Sequence, residues 1–391
     1  MKKLLIAFLF ISTASHAQSL HISDQAKISV VTCGPWQGEL YSAFGHSAFR
    51  VQDPAMGLDE IYNYGVFDFD QPNFYLNFAR GYLYYKLGVH PYSAFKNYYI
   101  YHNRYLHEQE LNLSHEQTQR LYDYLRRNAM PENANYLYDY FYNNCSTKLR
   151  DVVVEVLGDS VKFDGSYITT DYTIRNLTDL YLEKQPWGDL GIDICLGLPM
   201  DKKASPYEYM FLPDYLESGF DHATITQGDS TVPLVKQKVI VYESRPQNRK
   251  EEEGLPHPVY VFSGLTLVAL ALMIIDLRRK KLSNWFDVLL FGAAGLIGWL
   301  LFILWFFTDH KAAANNLNIL WALPTHIVAL VYFKKNPAWL SKYFLVVTGI
   351  LVLLVITRWL MPQQLNYSLI PVVIALAIRA FTQYRLRKAA A

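Results

Sequence analysis

The sequence predicts an exported α+β domain followed by an all-α transmembrane bundle of about five helices. Three observations predict it: a short apolar leader, a polar and Tyr-rich stretch with mixed strand and helix patterning, and a last third of apolar runs separated by basic clusters. The mean hydropathy of +0.03 averages these unlike parts and conceals them.

Met1-Lys2-Lys3 is a positive n-region, Leu4 to Ile11 an apolar core, and Ser15-His16-Ala17 supplies the small residues that a signal peptidase reads. Eight apolar residues fall well short of the roughly 20 that span a bilayer, so cleavage after Ala17 is expected. The expected division is a signal peptide at 1–17, a periplasmic domain at 18–243, a charged linker at 244–257 and a helical membrane domain at 258–391. A net charge of +1 gives no electrostatic reason to expect nucleic acid as a partner.

In the exported part, Lys27 to Thr32 reads as a strand, and Ala48–Val51 with Glu60–Gly65 as a hairpin around a Pro/Gly/Asp loop. Pro72 to Tyr85 reads as an aromatic amphipathic helix. Ser114 to Arg127 reads as a second, with Ser114 and Gln117 spaced as a capping box. Leu149, Val152, Val153, Val156 and Leu157 fall at helical spacing, which places Cys145 at or near a helix N-terminus. Residues 163–221 are weakly periodic, and Val235–Tyr242 reads as a closing strand.

Apolar runs at Val259–Ile275, Trp285–Phe307, Leu317–Phe333, Leu340–Leu360 and Ser368–Phe381 give the expected five spans. Arg278 to Lys281, Lys334-Lys335 with Lys342, and Arg379 to Lys388 alternate with loops poor in Lys and Arg. The positive-inside rule therefore puts the basic clusters and the C-terminus in the cytoplasm, opposite the exported domain.

Cys33, Cys145 and Cys195 all lie in the exported part, and an odd number leaves at least one thiol unpaired. A Cys33–Cys195 disulfide would leave Cys145 free. At a helix start, a thiol meets unpaired amides and the positive end of the helix dipole, both of which favour a thiolate. His46 in Gly45-His46-Ser47 offers the base that a thiol nucleophile needs. Asn63 is the first choice to orient His46, with Glu39 and Asp68 as alternatives. The Cys145 amide and the Asn144 side chain are candidate oxyanion donors. Taken singly, each residue has a plain structural use: a small buried thiol, a core histidine, a helix cap, a turn asparagine.

Taken in order, a Gly-His-Ser strand, a second strand and Asn-Cys opening a helix resemble the circularly permuted papain-like (NlpC/P60-like) thiol enzymes, including those related to lecithin:retinol acyltransferase. Over longer stretches, Thr32-Cys33-Gly34-Pro35, Glu39 to Val51, Tyr62 to Phe69 and Phe141 to Asp151 resemble the Lnb-type N-terminal periplasmic domain, formerly a DUF4105 domain. The likeness extends over most of the chain. Trp36 stands where that pattern has glycine, and Lys148 where it has arginine.

The resemblance implies an inner-membrane lipoprotein N-acyltransferase of a Gram-negative envelope. A membrane phospholipid would donate an acyl chain to Cys145 as a thioester, and the α-amine of a lipoprotein's diacylglyceryl-cysteine would accept it, with no cofactor or metal. It also points to a polar cluster at the outer membrane boundary, His310, Asn315, Asn318 and Trp321, as substrate-binding, with Glu39 a further candidate. A cell-envelope cysteine hydrolase or peptidase is the second expectation. A non-catalytic sensor or assembly factor is the third.

Overall fold

The computed structural model describes residues 20–67, 69–245 and 255–390. The expected signal peptide, Asp68 and most of the linker lie outside the described residues.

The exported domain is built on an antiparallel seven-stranded sheet. Its strands are β1 (Lys27–Cys33), β2 (His46–Asp53), β3 (Leu58–Val66), β4 (Tyr84–Pro91), β5 (Leu106–Leu111), β6 (Asn135–Leu137) and β10 (Val235–Tyr242), in the order β10-β5-β1-β2-β3-β4-β6. Alternation in β1 to β3 feeds both faces. Ile28, Val30, Phe49, Val51, Tyr62 and Tyr64 pack against α3 (His115–Asn128) and α4 (Cys145–Leu157). Val31, Cys33, Ala48 and Ile61 pack against α2 (Tyr92–Tyr101). The expected capping box forms, with Ser114 and Gln117 exchanging side-chain and backbone bonds at the start of α3.

One expected helix is shorter than its pattern. Only Phe74–Arg80 is helical (α1), because Gly81 follows in the left-handed region, and the chain then enters β4. After β7 (Val161–Lys162), the weakly periodic stretch folds into four short helices, α5 (Ile174–Leu182), α6 (Pro186–Cys195), α7 (Pro206–Tyr209) and α8 (Pro213–Asp221). β8 (Thr224–Gln227) and β9 (Ser230–Pro233) complete a small second sheet with β7.

The membrane part corrects the helix count. Among the described residues, four helices are long and apolar enough to cross a bilayer: α9 (Pro258–Arg279), α10 (Asn284–Phe307), α12 (Ala338–Thr357) and α13 (Ile370–Ala390), the last two apolar stretches being extended by flanking turns. The expected third span is interrupted: Leu317–Leu320 is a 3-10 turn, and only Thr325–Val331 is α-helical (α11). Pro324 and the capping side chain of Asn316 break it. This element still runs back along α10. A Cβ at Gly298 would lie 1.8 Å from the Ala322 carbonyl oxygen and one at Gly295 2.9 Å from Ile327, so these glycines admit the irregular backbone. Asn336 then meets Arg387 near the end of α13 at 2.5 Å. Arg379 is buried between Asp276 and Asp287, at 2.7 and 2.6 Å, and joins α13 to α9 and α10.

The two parts are docked. Gly197 N–H donates to the Ala312 carbonyl at 2.7 Å, and Asn366 donates to Asp189 and Asp193 at 3.0 and 2.8 Å.

Candidate active site

Cys145 is the first residue of α4 and is 8 % exposed. Asn144 caps the helix, and the first internal bond of α4 runs from Lys148 N–H to the Asn144 carbonyl. The Cys145 amide therefore precedes the helical ladder and points out of its N-terminus. His46 opens β2 and is partly buried. The register Phe49↔Tyr62 brings the end of β3 alongside the start of β2. There His46 Nε2 lies 2.6 Å from Asn63 Oδ1. The Asn63 oxygen accepts the Nε2 proton, which leaves Nδ1 as the basic nitrogen available to the thiol.

The electrostatics of the pair are reciprocal. Burial pushes the Cys145 thiol up, but the His46 charge, hydrogen bonds from His46 and the Ser47 amide, and the Ser146 hydroxyl together bring it below its ordinary value. Burial pulls His46 down, but the Cys145 charge and its hydrogen bonds to Cys145 and Asn63 raise it above its ordinary value. The pair is therefore biased towards thiolate and imidazolium. Ser146 Oγ lies 3.9 Å from the sulfur and 3.1 Å from Ser47 Oγ, tying α4 to β2 beside the Cys145 thiol.

The other expected site residues fall in different places. Asn144 accepts from Thr147 N–H at 2.9 Å and donates both amide hydrogens, to the Tyr140 and Phe211 carbonyls at 2.8 Å each. Its side chain is fully committed to holding the helix start and leaves no donor for an oxyanion. Glu39 is exposed on the β1–β2 connection. His310 Nε2 meets the Phe78 carbonyl at 3.1 Å, Asn318 donates to the Asp193 and Ile194 carbonyls at 3.2 Å, and Trp321 is 1 % exposed and donates to Asn318 Oδ1. These residues form the seam between the two parts of the chain, where His310 and Asn318 bind backbone carbonyls and Trp321 binds the Asn318 side chain. Asn315 is exposed, in the left-handed region at φ 53°.

All three cysteines are free. Cys33 is buried in the β1 core and Cys195 ends α6 at the seam, so the considered disulfide does not form. Burial, only partly offset by Arg104, pushes Cys33 well above its ordinary value and leaves it an inert thiol.

Sequence reasoning did not single out Gly65, Tyr136 or Tyr138. A Cβ at Gly65 would stand 3.7 Å from Cys145 Cβ and 3.5 Å from the Tyr138 ring, so the glycine keeps one side of the thiol open. Burial first, then the Cys145 charge, hold the Tyr136 and Tyr138 hydroxyls protonated. Near the seam, Asp179, Asp189 and Asp193 bring carboxylate oxygens within 4.8 Å of one another, at the wall of a cavity of about 700 Å³. Burial and the neighbouring carboxylates push Asp179 up to about 8 and Asp189 up to about 6. Asp179 lies on α5, and Asp189 and Asp193 stand one turn apart on α6, the next helix in the chain.

Comparison with curated proteins and with solved structures gives no match. Family models do match: the Lnb N-terminal periplasmic domain over residues 15–179, and the Lnb transmembrane domain over residues 250–390. The first contains His46, Asn63 and Cys145, and the second contains all four long apolar helices. The chain thus belongs to the Lnb family, membrane proteins with an N-terminal periplasmic domain and a helical transmembrane domain.

Proposed function

We propose that the protein is a lipoprotein N-acyltransferase working through a Cys145–His46 dyad oriented by Asn63, on a permuted papain-like domain. The observation that carries this reading is the placement of the dyad. Cys145 sits beside the end of β3, and the chain leaving β3 returns through α1 to the outer end of a membrane-spanning helix, where Asp309 N–H donates to the Arg80 carbonyl at 2.8 Å. A thiol nucleophile beside a strand whose continuation is bonded to the end of a membrane-spanning helix suits a substrate held in the bilayer.

In the first half-reaction, the Cys145 thiolate attacks an acyl ester carbonyl of a phospholipid. The Cys145 amide donates to the oxyanion, and the imidazolium of His46 gives its proton to the departing alkoxide. The products are a thioester and a lysophospholipid. In the second, the neutral α-amine of a diacylglyceryl-cysteine attacks the thioester. His46 takes the amine proton, the amide forms and the thiolate leaves. A thioester reacts readily with amines and is preserved where water is kept out, which the ring-lined surroundings of Cys145 favour.

The chain path supports the orientation. We read the chain as an inner-membrane protein of a Gram-negative bacterium with its C-terminus in the cytoplasm; the expected signal peptide at 1–17, the alternation of basic clusters with loops poor in Lys and Arg, and the return of the interrupted element along α10 support that reading. Mass spectrometry of lipoprotein N-termini from a deletion strain tests the proposal. Wild-type protein should restore the third acyl chain and Cys145→Ala should not. Restoration by Cys145→Ala would reject the mechanism.

A further inference from the structure

The segment from Phe67 to Tyr85 carries chemistry that the dyad does not use. α1 has no buried residue; Tyr75 is 75 % exposed, Leu76 56 % and Phe78 41 %, with Phe69 just before it at 59 %. A helix on a water-facing surface turns its apolar stripe inward, and here only Phe74 is half-buried, while Tyr75, Leu76 and Phe78 stay exposed.

Its height is fixed by the membrane domain. Asp309 N–H donates to the Arg80 carbonyl at 2.8 Å, His310 meets the Phe78 carbonyl at 3.1 Å, and a Cβ at Gly81 would lie 2.8 Å from the Asp309 backbone. These partners follow directly on Phe307, the last residue of α10, where Phe306 and Phe307 are 55 % and 71 % exposed and face the surroundings of the bundle. The apolar surface of α1 thus continues the lipid-facing surface of α10 at the level where that helix leaves the hydrocarbon. Arg80 ends α1 at a height suited to lipid phosphate.

From α1 a run of rings leads to the thiol. Phe78 contacts Phe74 at 6.1 Å between centroids, Phe74 contacts Phe69 at 5.0 Å, Phe69 contacts Phe67 at 4.9 Å, and Phe67 contacts Tyr85 at 5.3 Å. Tyr85 stacks on Tyr138 at 4.4 Å, and Tyr138 adjoins Gly65 and Cys145. Tyr140, 44 % exposed, flanks that end of the run.

We infer that α1 lies in the outer interface of the bilayer with Tyr75, Leu76 and Phe78 against acyl chains, and that the aromatic run from Phe78 to Tyr138 guides one chain out of the leaflet to Cys145. The guiding role rests on the acyl-transfer reading; the immersion of α1 does not.

Photocrosslinking in the full-length protein separates the two. Leu76, Tyr140 or Met56 is replaced by p-benzoylphenylalanine in a Cys145→Ala background, the protein is placed in vesicles of phosphatidylethanolamine and phosphatidylglycerol, and adducts are read by mass spectrometry after irradiation. Met56 is the control: an exposed apolar side chain just beyond the end of β2 opposite His46. Because Leu76 and Tyr140 are exposed, the folded state tolerates the larger ring, and Tyr75→p-benzoylphenylalanine reads the same face of α1 independently. Phospholipid adducts at 76 and 140, and none at 56, are expected. Adducts to a second copy at 76, or none to lipid at either 75 or 76, or equal labelling at 56, would overturn the immersion of α1. Adducts at 76 with none at 140 would overturn the guide. The crosslinking readout needs no turnover, so loss of the lipid adducts at 75 and 76 is distinguishable from a failure of the transfer mechanism, which is read from the mass of Cys145.

Discussion

His46 Nε2 and Asn63 Oδ1 are 2.6 Å apart, across two neighbouring strands whose register is fixed by the sheet. The contact sets the imidazole tautomer and holds Nδ1 towards Cys145. Asn63→Ala should leave the fold intact and slow transfer by about 10- to 100-fold, the equivalent of one hydrogen bond to a charged group. Because that bond helps to raise His46, the basic limb of the pH–rate profile should move to lower pH. An unchanged profile with a slower rate would mean that Asn63 acts on something other than the imidazole.

The lowered thiol of Cys145 is directly measurable by alkylation. The rate of reaction with iodoacetamide should reach half its plateau below the ordinary 9.0, because the thiolate forms early beside the His46 charge. His46→Gln removes that charge and leaves burial as the largest influence, so the midpoint should move above 9.0. Equal midpoints in the two proteins would detach His46 from the nucleophile.

Asn144 separates a cap from a catalytic donor. Asn144→Ala loses the cap on Thr147 and strands two carbonyls, and should destabilise the protein by about 2–4 kcal/mol. Asn144→Asp keeps the acceptor but replaces the two donors with an oxygen facing carbonyls, and should also lower the thermal midpoint. Wild-type stability in both, with only the transfer rate reduced, would return Asn144 to the oxyanion site.

The seam between the two parts should respond to pH. Asp179 titrates near 8 in the folded protein against an ordinary 3.8, so folding takes up a proton there. This contribution to stability is fully present below 3.8 and is lost as pH rises through about 8. The thermal midpoint should therefore fall as pH rises from about 4 to about 8 and level off above that, and should fall less steeply in Asp179→Asn. Parallel curves would show that the carboxyl cluster does not govern the seam.

Local chemistry placed Cys145, His46 and Asn63 on their elements from the sequence alone. Cys145 followed from apolar spacing in α4, His46 and Asn63 from β-branched and aromatic strand patterns, and the α3 cap from Ser114 and Gln117. What escaped was decided by tertiary packing. Asn144 looks alike as a cap and as an oxyanion donor until the Tyr140 and Phe211 carbonyls take its hydrogens. Leu317–Phe333 has the hydropathy of a span, but Gly298 on another helix admits the backbone that breaks it. His310 and Asn318 have the composition of a head-group site, yet their partners are carbonyls remote in sequence. The aromatic helix pattern over 72–85 was half right, since Gly81 ends the helix and the remaining aromatic residues continue into β4.

The central claim is that Cys145 carries the acyl chain, and the direct measurement is the intact mass of the protein after incubation with phospholipid and no acceptor. The account predicts a mass increase of one acyl chain, located on Cys145, removed by hydroxylamine and absent in Cys145→Ala. An unmodified Cys145 under conditions where adding acceptor gives N-acylated lipoprotein would contradict it.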